Sequence, residues 1–149
     1  MNIKNLLFIL FTCNTASAHD IKLSECSYEQ LIQQDRVYWC LMDKYQQSLL
    51  ALKKEEASAE KRLKKYDKES ARGHDEDGSI DYEPYIHIAR ITFPELHRSF
   101  ILYREQQCKY ASQRDGALPG YRSSISALYC KTNINMSQTQ WIKDTIKDK

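Results

Sequence analysis

Residues 31–66, LIQQDRVYWCLMDKYQQSLLALKKEEASAEKRLKKY, decide the fold of this chain. Apolar and aromatic side chains recur in this stretch at alternating steps of three and four, which places them on one face of an α-helix. A helix of 36 residues is about 54 Å long, so a partner of similar length must cover that face. The predicted stripe consists of Leu31, Tyr38, Met42, Tyr45, Leu49, Leu52, Ala59, Leu63 and Tyr66.

A second helical stripe follows a turn at residues 73–78, which begins and ends with glycine. Pro94 lies in its middle, but the apolar phase is kept on both sides, which predicts one kinked helix rather than two. After a loop at residues 116–120, a last short helix is indicated over residues 134–145. We therefore expect an all-α fold, a long antiparallel helical hairpin with a short C-terminal helix. The second stripe consists of Tyr82, Ile86, Ala89, Phe93, Leu96, Phe100, Tyr103, Gln107 and Tyr110.

The first 18 residues have the features of a secretory signal peptide. Lys4 precedes an apolar run at residues 6–11, and the small residues Ala16 and Ala18 stand where signal peptidase cleaves. The run is too short to span a bilayer, which takes about 20 residues. Acylation of Cys13 would instead tether the protein, but Thr12 stands where a lipoprotein signal has a smaller residue. We expect a periplasmic or secreted protein, with residues 19–149 forming a single domain.

Four cysteines remain after such a cleavage. An even number in a small exported protein predicts a disulfide framework, whereas a zinc site would need close cysteine pairs that this chain lacks. If the hairpin turns near residue 76, antiparallel packing places residue n of the first helix beside residue 152 − n. This register favours Cys40 paired with Cys108 and Cys26 paired with Cys130.

The most concentrated charge lies in residues 75–83, which hold five carboxylates and no Lys or Arg. A calcium loop would need glycine at Ile80 and a bidentate glutamate at Ile86, so calcium is disfavoured. A solvated loop and a partner-binding loop both remain open. The five acidic residues are Asp75, Glu76, Asp77, Asp81 and Glu83.

Charge and chemistry exclude several function classes. Without the leader, 21 basic and 20 acidic residues remain, which gives no excess charge for nucleic acid. The chain offers no serine motif, His87 and His97 are ten residues apart, and oxidised cysteines are not nucleophiles. We therefore expect a monomeric binding protein with a protein partner, no membrane span, no cofactor or metal, and no enzymatic activity.

The segment around Tyr103, Arg104, Glu105 and Cys108 resembles the lysozyme inhibitor LprI-like N-terminal domain family, which consists of small exported helical domains of bacteria. The shared pattern is aromatic-x-x-aromatic-Arg-acid-x-x-Cys, with Phe100 where the family usually has Trp. The likeness extends over residues 26–146. Cys26, Cys40, Tyr45 and Cys130 match further positions of the family pattern.

The resemblance implies binding and inhibition of lysozyme. The alternative is a periplasmic immunity or adaptor protein that binds a toxin or an envelope protein. Lysozymes are generally basic, so the acidic residues 75–83 would suit them electrostatically. For Arg104 a structural role is expected, a bidentate contact to a carboxylate on the first helix, with Asp43 as the candidate.

Overall fold

The computed structural model describes residues 21–27, 29, 33–72, 85–115 and 120–147. A 3₁₀ turn, Leu23–Cys26, precedes three helices: α1 (Gln34–Arg72), α2 (Tyr85–Asp115) and α3 (Tyr121–Thr145). The described part of the chain contains no strand. The predicted all-α hairpin with a third helix is therefore confirmed.

The half of the hairpin formed by the end of α1 and the start of α2, which we call the upper half, has the predicted antiparallel register. His97 of α2 lies against Glu56 of α1, and His87 lies against Asp67. These partners are one and two residues from those that the predicted register gives. The helix α2 runs through Pro94 without a break, as expected.

The third helix, α3, is a larger part of the fold than the sequence suggested. It begins at Tyr121 and has 25 residues, so it includes Cys130. It runs parallel to α1 and packs against it more extensively than α2 does. Asn135 bonds to Ser48 near the middle of α1, and the Lys147 carbonyl accepts a bond from Tyr66 near its end.

Two apolar clusters fill the bundle, one toward each end. The upper cluster draws on all three helices, and the lower cluster joins the 3₁₀ turn to α1 and α3. The upper cluster consists of Leu52, Ala59, Leu63, Phe93, Phe100 and Ile142. The lower cluster consists of Cys26, Val37, Leu41 and Leu128.

The predicted apolar stripe of α2 is correct at Phe93 and Phe100, and it is wrong at Leu96 and in the second half of the helix. Tyr82 and the side chain of Ile86 lie outside the described residues. Phe93 and Phe100 are buried, but Tyr103, Gln107 and Tyr110 are exposed. The inward positions of the second half are Arg104 and Cys108. They belong to a neighbouring face of the helix, because the disulfide of Cys108 turns that face toward α3.

The predicted disulfide pairing is wrong. Cys26 is bonded to Cys40, and Cys108 is bonded to Cys130. The cause is the position of α3, which packs along the lower half of α1 and pairs its own cysteine with Cys108. Each bridge closes a loop of 14 or 22 residues, and the chain-entropy model gives a loop of about 15 residues roughly 3 kcal/mol of stabilisation.

The start of the first helix is also later than the capping pattern at Ser27 and Gln30 predicted. The helix α1 begins at Gln34, and Ser27 ends the 3₁₀ turn instead. In one continuous helix the Cα atoms of Cys26 and Cys40 would be about 21 Å apart, whereas the disulfide holds them at 5.6 Å. The two cysteines therefore cannot share a helix.

The disulfides fit an oxidising compartment such as the periplasm or the extracellular space. Of the helices that the structure describes, none has the length and apolar content needed to cross a membrane. The predicted signal peptide, residues 1–18, lies outside the described residues.

Two leucines on α1 provide a test of this packing. Leu52 is 2% exposed in the upper cluster, whereas Leu50 is 68% exposed. We expect Leu52→Ala to lower the free energy of unfolding by about 2 to 5 kcal/mol, because it leaves a cavity. Leu50→Ala should change it by less than about 0.5 kcal/mol. Urea denaturation of the oxidised proteins measures both, and equal losses would contradict the assigned faces of α1.

Candidate functional site

A layer of polar side chains separates the two apolar clusters, and we call Ser48, Arg104 and Asn135 the polar layer. All three are buried, and each comes from a different helix. Arg104 Nη1 donates to Asn135 Oδ1 at 2.9 Å, and Asn135 Nδ2 donates to Ser48 Oγ at 3.0 Å. Ser48 Oγ in turn donates to the Tyr45 carbonyl at 2.7 Å. One chain of hydrogen bonds therefore connects α1, α2 and α3.

Glu105, which is partly exposed, connects the polar layer to the surface. Its Oε1 accepts from Arg104 Nε and Nη2 at 3.2 and 3.0 Å, and its Oε2 accepts from Lys131 Nζ of α3. Partial burial raises the pKa of Glu105, but the hydrogen bonds from Lys131 and Arg104 outweigh it and hold the pKa below its ordinary value. Glu105 is therefore ionised at neutral pH and neutralises the buried guanidinium.

A second carboxylate, Glu56 of α1, lies close enough to feel the charge of Arg104. Burial raises the pKa of Glu56, and the neighbouring His97 offsets that effect only in part. The pair of Glu56 and His97 joins α1 to α2 about two turns above the polar layer. In the described part of the chain, no three His, Cys, Asp or Glu side chains converge to hold a metal ion.

The structure assigns different positions to the residues of the family-like pattern. Tyr45 is half-buried against the lower cluster, and Phe100 is buried with the Arg104 guanidinium 5.8 Å from its ring centre. Tyr103 points outward. The expected contact of Arg104 with Asp43 is wrong, because Asp43 instead accepts from Gln47 on the outside of α1. Arg104 points toward α3 and not toward α1. The carboxylate that accepts its hydrogen bonds is therefore that of Glu105, on its own helix.

The predicted acidic binding residues lie outside the described residues. These are Asp75, Glu76, Asp77, Asp81 and Glu83. Their role in binding stays a prediction.

The structure shows another exposed surface with two carboxylates, which Arg36 and Lys53 border. We call it the tryptophan face and define it as Asp35, Trp39, Asp43 and Leu50 of α1. These side chains share one face of the helix, because they are spaced by four, four and seven residues. All four are exposed, Trp39 by 64%. The face points away from the core, opposite the buried side of α1. The spacing of the two aspartates about Trp39 was a signal available in the sequence.

A disulfide and several ring contacts lie beside Trp39 at the start of α1. Trp39 precedes Cys40, which is bonded to Cys26 in the 3₁₀ turn. The Tyr38 ring meets the rings of Trp39 and Tyr121 edge to face, with centres 5.2 and 5.6 Å apart. These contacts restrain the backbone that presents Trp39, whereas the indole ring itself is mostly exposed.

A cleft of about 610 Å³ runs between α2 and α3 on another side of the bundle. Its walls combine the exposed rings of Tyr103 and Trp141 with uncharged polar side chains such as Ser99, Asn133 and Gln138. No charged side chain lines it in the described part of the chain. This surface is therefore chemically distinct from the tryptophan face.

The polar layer predicts unequal effects for two asparagines of α3. Asn135→Ala removes the link between Arg104 and Ser48 and leaves buried groups unbonded, so we expect a loss of about 1 to 3 kcal/mol in unfolding free energy. Asn133 bonds only to the Tyr129 carbonyl near the surface, so Asn133→Ala should cost less than about 0.5 kcal/mol. Urea denaturation compares them. A smaller loss at Asn135 than at Asn133 would show that the layer contributes no stability.

The lowered pKa of Glu105 predicts how stability depends on pH. A carboxylate with a folded-state pKa below its unfolded value stabilises the fold above the unfolded pKa, and this contribution is lost as pH falls through the folded pKa. Glu105→Gln should therefore be less stable than the wild type at pH 7, and the difference should shrink in acid. Urea denaturation from pH 7 down to pH 2 measures it. An equal difference at every pH would contradict the ionic role of Glu105.

Comparisons with known proteins leave the resemblance to the LprI-like family as a prediction. That resemblance rests on the sequence pattern around Tyr103, Arg104 and Cys108. No family model, curated protein or solved structure gives a significant match to this chain.

Proposed function

We propose that this chain is an exported protein that acts by binding another protein, and that its partner is a basic muramidase of the lysozyme type. The observation that carries the proposal is the tryptophan face. A largely exposed Trp39 stands between Asp35 and Asp43 on a helix that a disulfide and an aromatic cluster hold in place. The leader ending near Ala18 delivers the domain to the compartment where such a partner works.

The chemistry of the tryptophan face suits a basic protein surface. Tryptophan is enriched among the residues that contribute most to interface affinity, and an exposed one on a rigid helix is a ready anchor. The flanking carboxylates attract basic side chains and accelerate the encounter. Asp43 is already oriented by the bond from Gln47, at 2.7 Å.

The resemblance to the LprI-like family supports the choice of partner. The acidic residues 75–83 add five carboxylates to the attraction for a basic enzyme. Binding, and not catalysis by this chain, then slows cell-wall cleavage.

A cell-wall turbidity assay with purified, oxidised protein and several lysozyme types tests the proposal. We expect inhibition that weakens as salt rises, because exposed charges are screened beyond about 10 Å at 0.1 M. Trp39→Ala should weaken inhibition by roughly 30-fold, as for an interface anchor worth about 2 kcal/mol. Asp35→Asn with Asp43→Asn, or Asp75, Glu76 and Asp77 changed to Ser, should mainly slow association.

Leu102→Ala is the matched control, since Leu102 is a large apolar side chain with 63% exposure on α2. It should leave inhibition unchanged. No inhibition by the wild type at low salt, across all lysozyme types, would remove the muramidase. A pull-down from periplasmic extract that requires Trp39 would then favour the immunity or adaptor role.

A further inference from the structure

Three exposed apolar side chains form a straight line along α2. Leu96, Tyr103 and Tyr110 are spaced seven residues apart, so each lies about 10.5 Å from the next on the same face. Trp141 of α3 lines the same cleft as Leu96 and Tyr103. We call these four residues the α2–α3 face. Their exposed fractions range from 41% to 66%.

The core of a single chain does not use this face. The inward side of α2 carries Phe100, Arg104 and Cys108, one residue away from the line of exposed side chains. Large apolar side chains that lie together on the surface mark interaction sites. The spacing within this line indicates which partner would cover it.

The spacing of the line is symmetric about Tyr103. Leu96 lies seven residues before it and Tyr110 seven residues after it. If two α2 helices pack antiparallel about a two-fold axis at Tyr103, Leu96 of one copy meets Tyr110 of the other, twice, and Tyr103 meets its own counterpart. Self-complementarity of this kind is what an isologous dimer interface requires.

The residues between and beside the apolar positions fit the same pairing. Ser99 and Gln107 each lie four residues from Tyr103, about 40° to either side of it, so an uncharged polar side chain borders the apolar line on each flank. Glu95 comes within one helical turn of Lys109 of the second copy, on the same flank of the helix pair. The two-fold axis repeats this opposite-charge contact, and the exposed Arg98 on the same flank offsets part of its attraction.

The four exposed side chains supply about half of the area that a standard dimer interface buries. Aromatic side chains present about 150 to 250 Å² each, so four side chains that are roughly half exposed offer on the order of 400 Å² per copy. A standard interface buries about 800 Å² per partner. Polar side chains around the cleft, such as Gln107, Asn133 and Gln138, supply the remainder as a rim.

We propose that the α2–α3 face is a homodimer interface, with a two-fold axis at Tyr103 and the two α2 helices antiparallel. This departs from the monomer that the sequence alone predicted. It is independent of the proposed muramidase partner, because it uses a different surface from the tryptophan face.

Sedimentation equilibrium of the full, oxidised protein from 1 to 200 μM tests the proposal. We expect the mass to rise to twice that of the monomer. Tyr103→Glu places two carboxylates together at the axis and should weaken the dimer by more than about tenfold. Leu50→Glu is the control, because Leu50 is similarly exposed but lies on α1, across the bundle from the α2–α3 face. It should leave the mass unchanged.

Charge reversal tests the register without changing the apolar line. Glu95→Lys and Lys109→Glu should each weaken the dimer, and the two together should restore it. Circular dichroism confirms that each variant keeps its helices. A monomeric wild type at every concentration would overturn the proposal, and so would a dimer that Tyr103→Glu leaves intact.

Discussion

The buried guanidinium of Arg104 is the constraint on which the arrangement of the three helices depends. A charge buried without partners costs several kcal/mol. Glu105 of the same helix supplies a carboxylate, and α2 must rotate until Arg104 also reaches Asn135 of α3. Asn135 then needs a partner of its own and finds Ser48. Apolar clusters alone tolerate sliding between helices, whereas this chain of bonds exists in only one register. We infer that the polar layer selects the register and that the apolar clusters supply most of the stability.

The disulfides do not perform this task. One joins the 3₁₀ turn to α1, and the other joins α2 to α3. Neither bridge connects α1 to the α2–α3 pair, so packing and the polar layer hold α1 in the bundle. The Cys26–Cys40 bridge acts locally instead, because it holds the start of α1 and the rings around Trp39 in one conformation.

The helix content and the upper half of the hairpin could be predicted because apolar periodicity reports directly on burial there. Leu52, Ala59, Leu63, Phe93 and Phe100 all lie where the pattern placed them. Elsewhere the apolar pattern misses the buried positions by one residue. In the lower half of α1 it gave Tyr38 and Met42, where Val37 and Leu41 are buried. In α3 the buried positions are Leu128, Thr132, Asn135, Thr139 and Ile142. Hydrophobicity gave Ile142 correctly, but it also gave Ile134 and Trp141, each one residue from a buried position. In α2 the pattern was also off by one residue, because it placed Tyr103 inward where Arg104 is buried. The disulfide pairing failed with it, since it assumed that α2 covers the lower half of α1. The sequence pattern did not single out Trp39, because a single exposed tryptophan has no periodicity, although the aspartates around it were visible.

The two proposed surfaces are geometrically compatible, and together they have a consequence for binding strength. On α1, Trp39 points away from the buried Leu41 and Ser48, whereas the α2–α3 face lies across the bundle. A dimer through that face therefore leaves both tryptophan faces free. Soluble enzyme molecules would bind them independently, and dimerisation would not alter the affinity of either site. Partner molecules fixed on one surface would be captured differently, because the second contact becomes intramolecular and its effective concentration can raise avidity by about 10² to 10⁴. Tyr103→Glu separates these cases, since it removes bivalency without touching Trp39. It should leave inhibition of a soluble enzyme unchanged and weaken retention on an enzyme-coated surface.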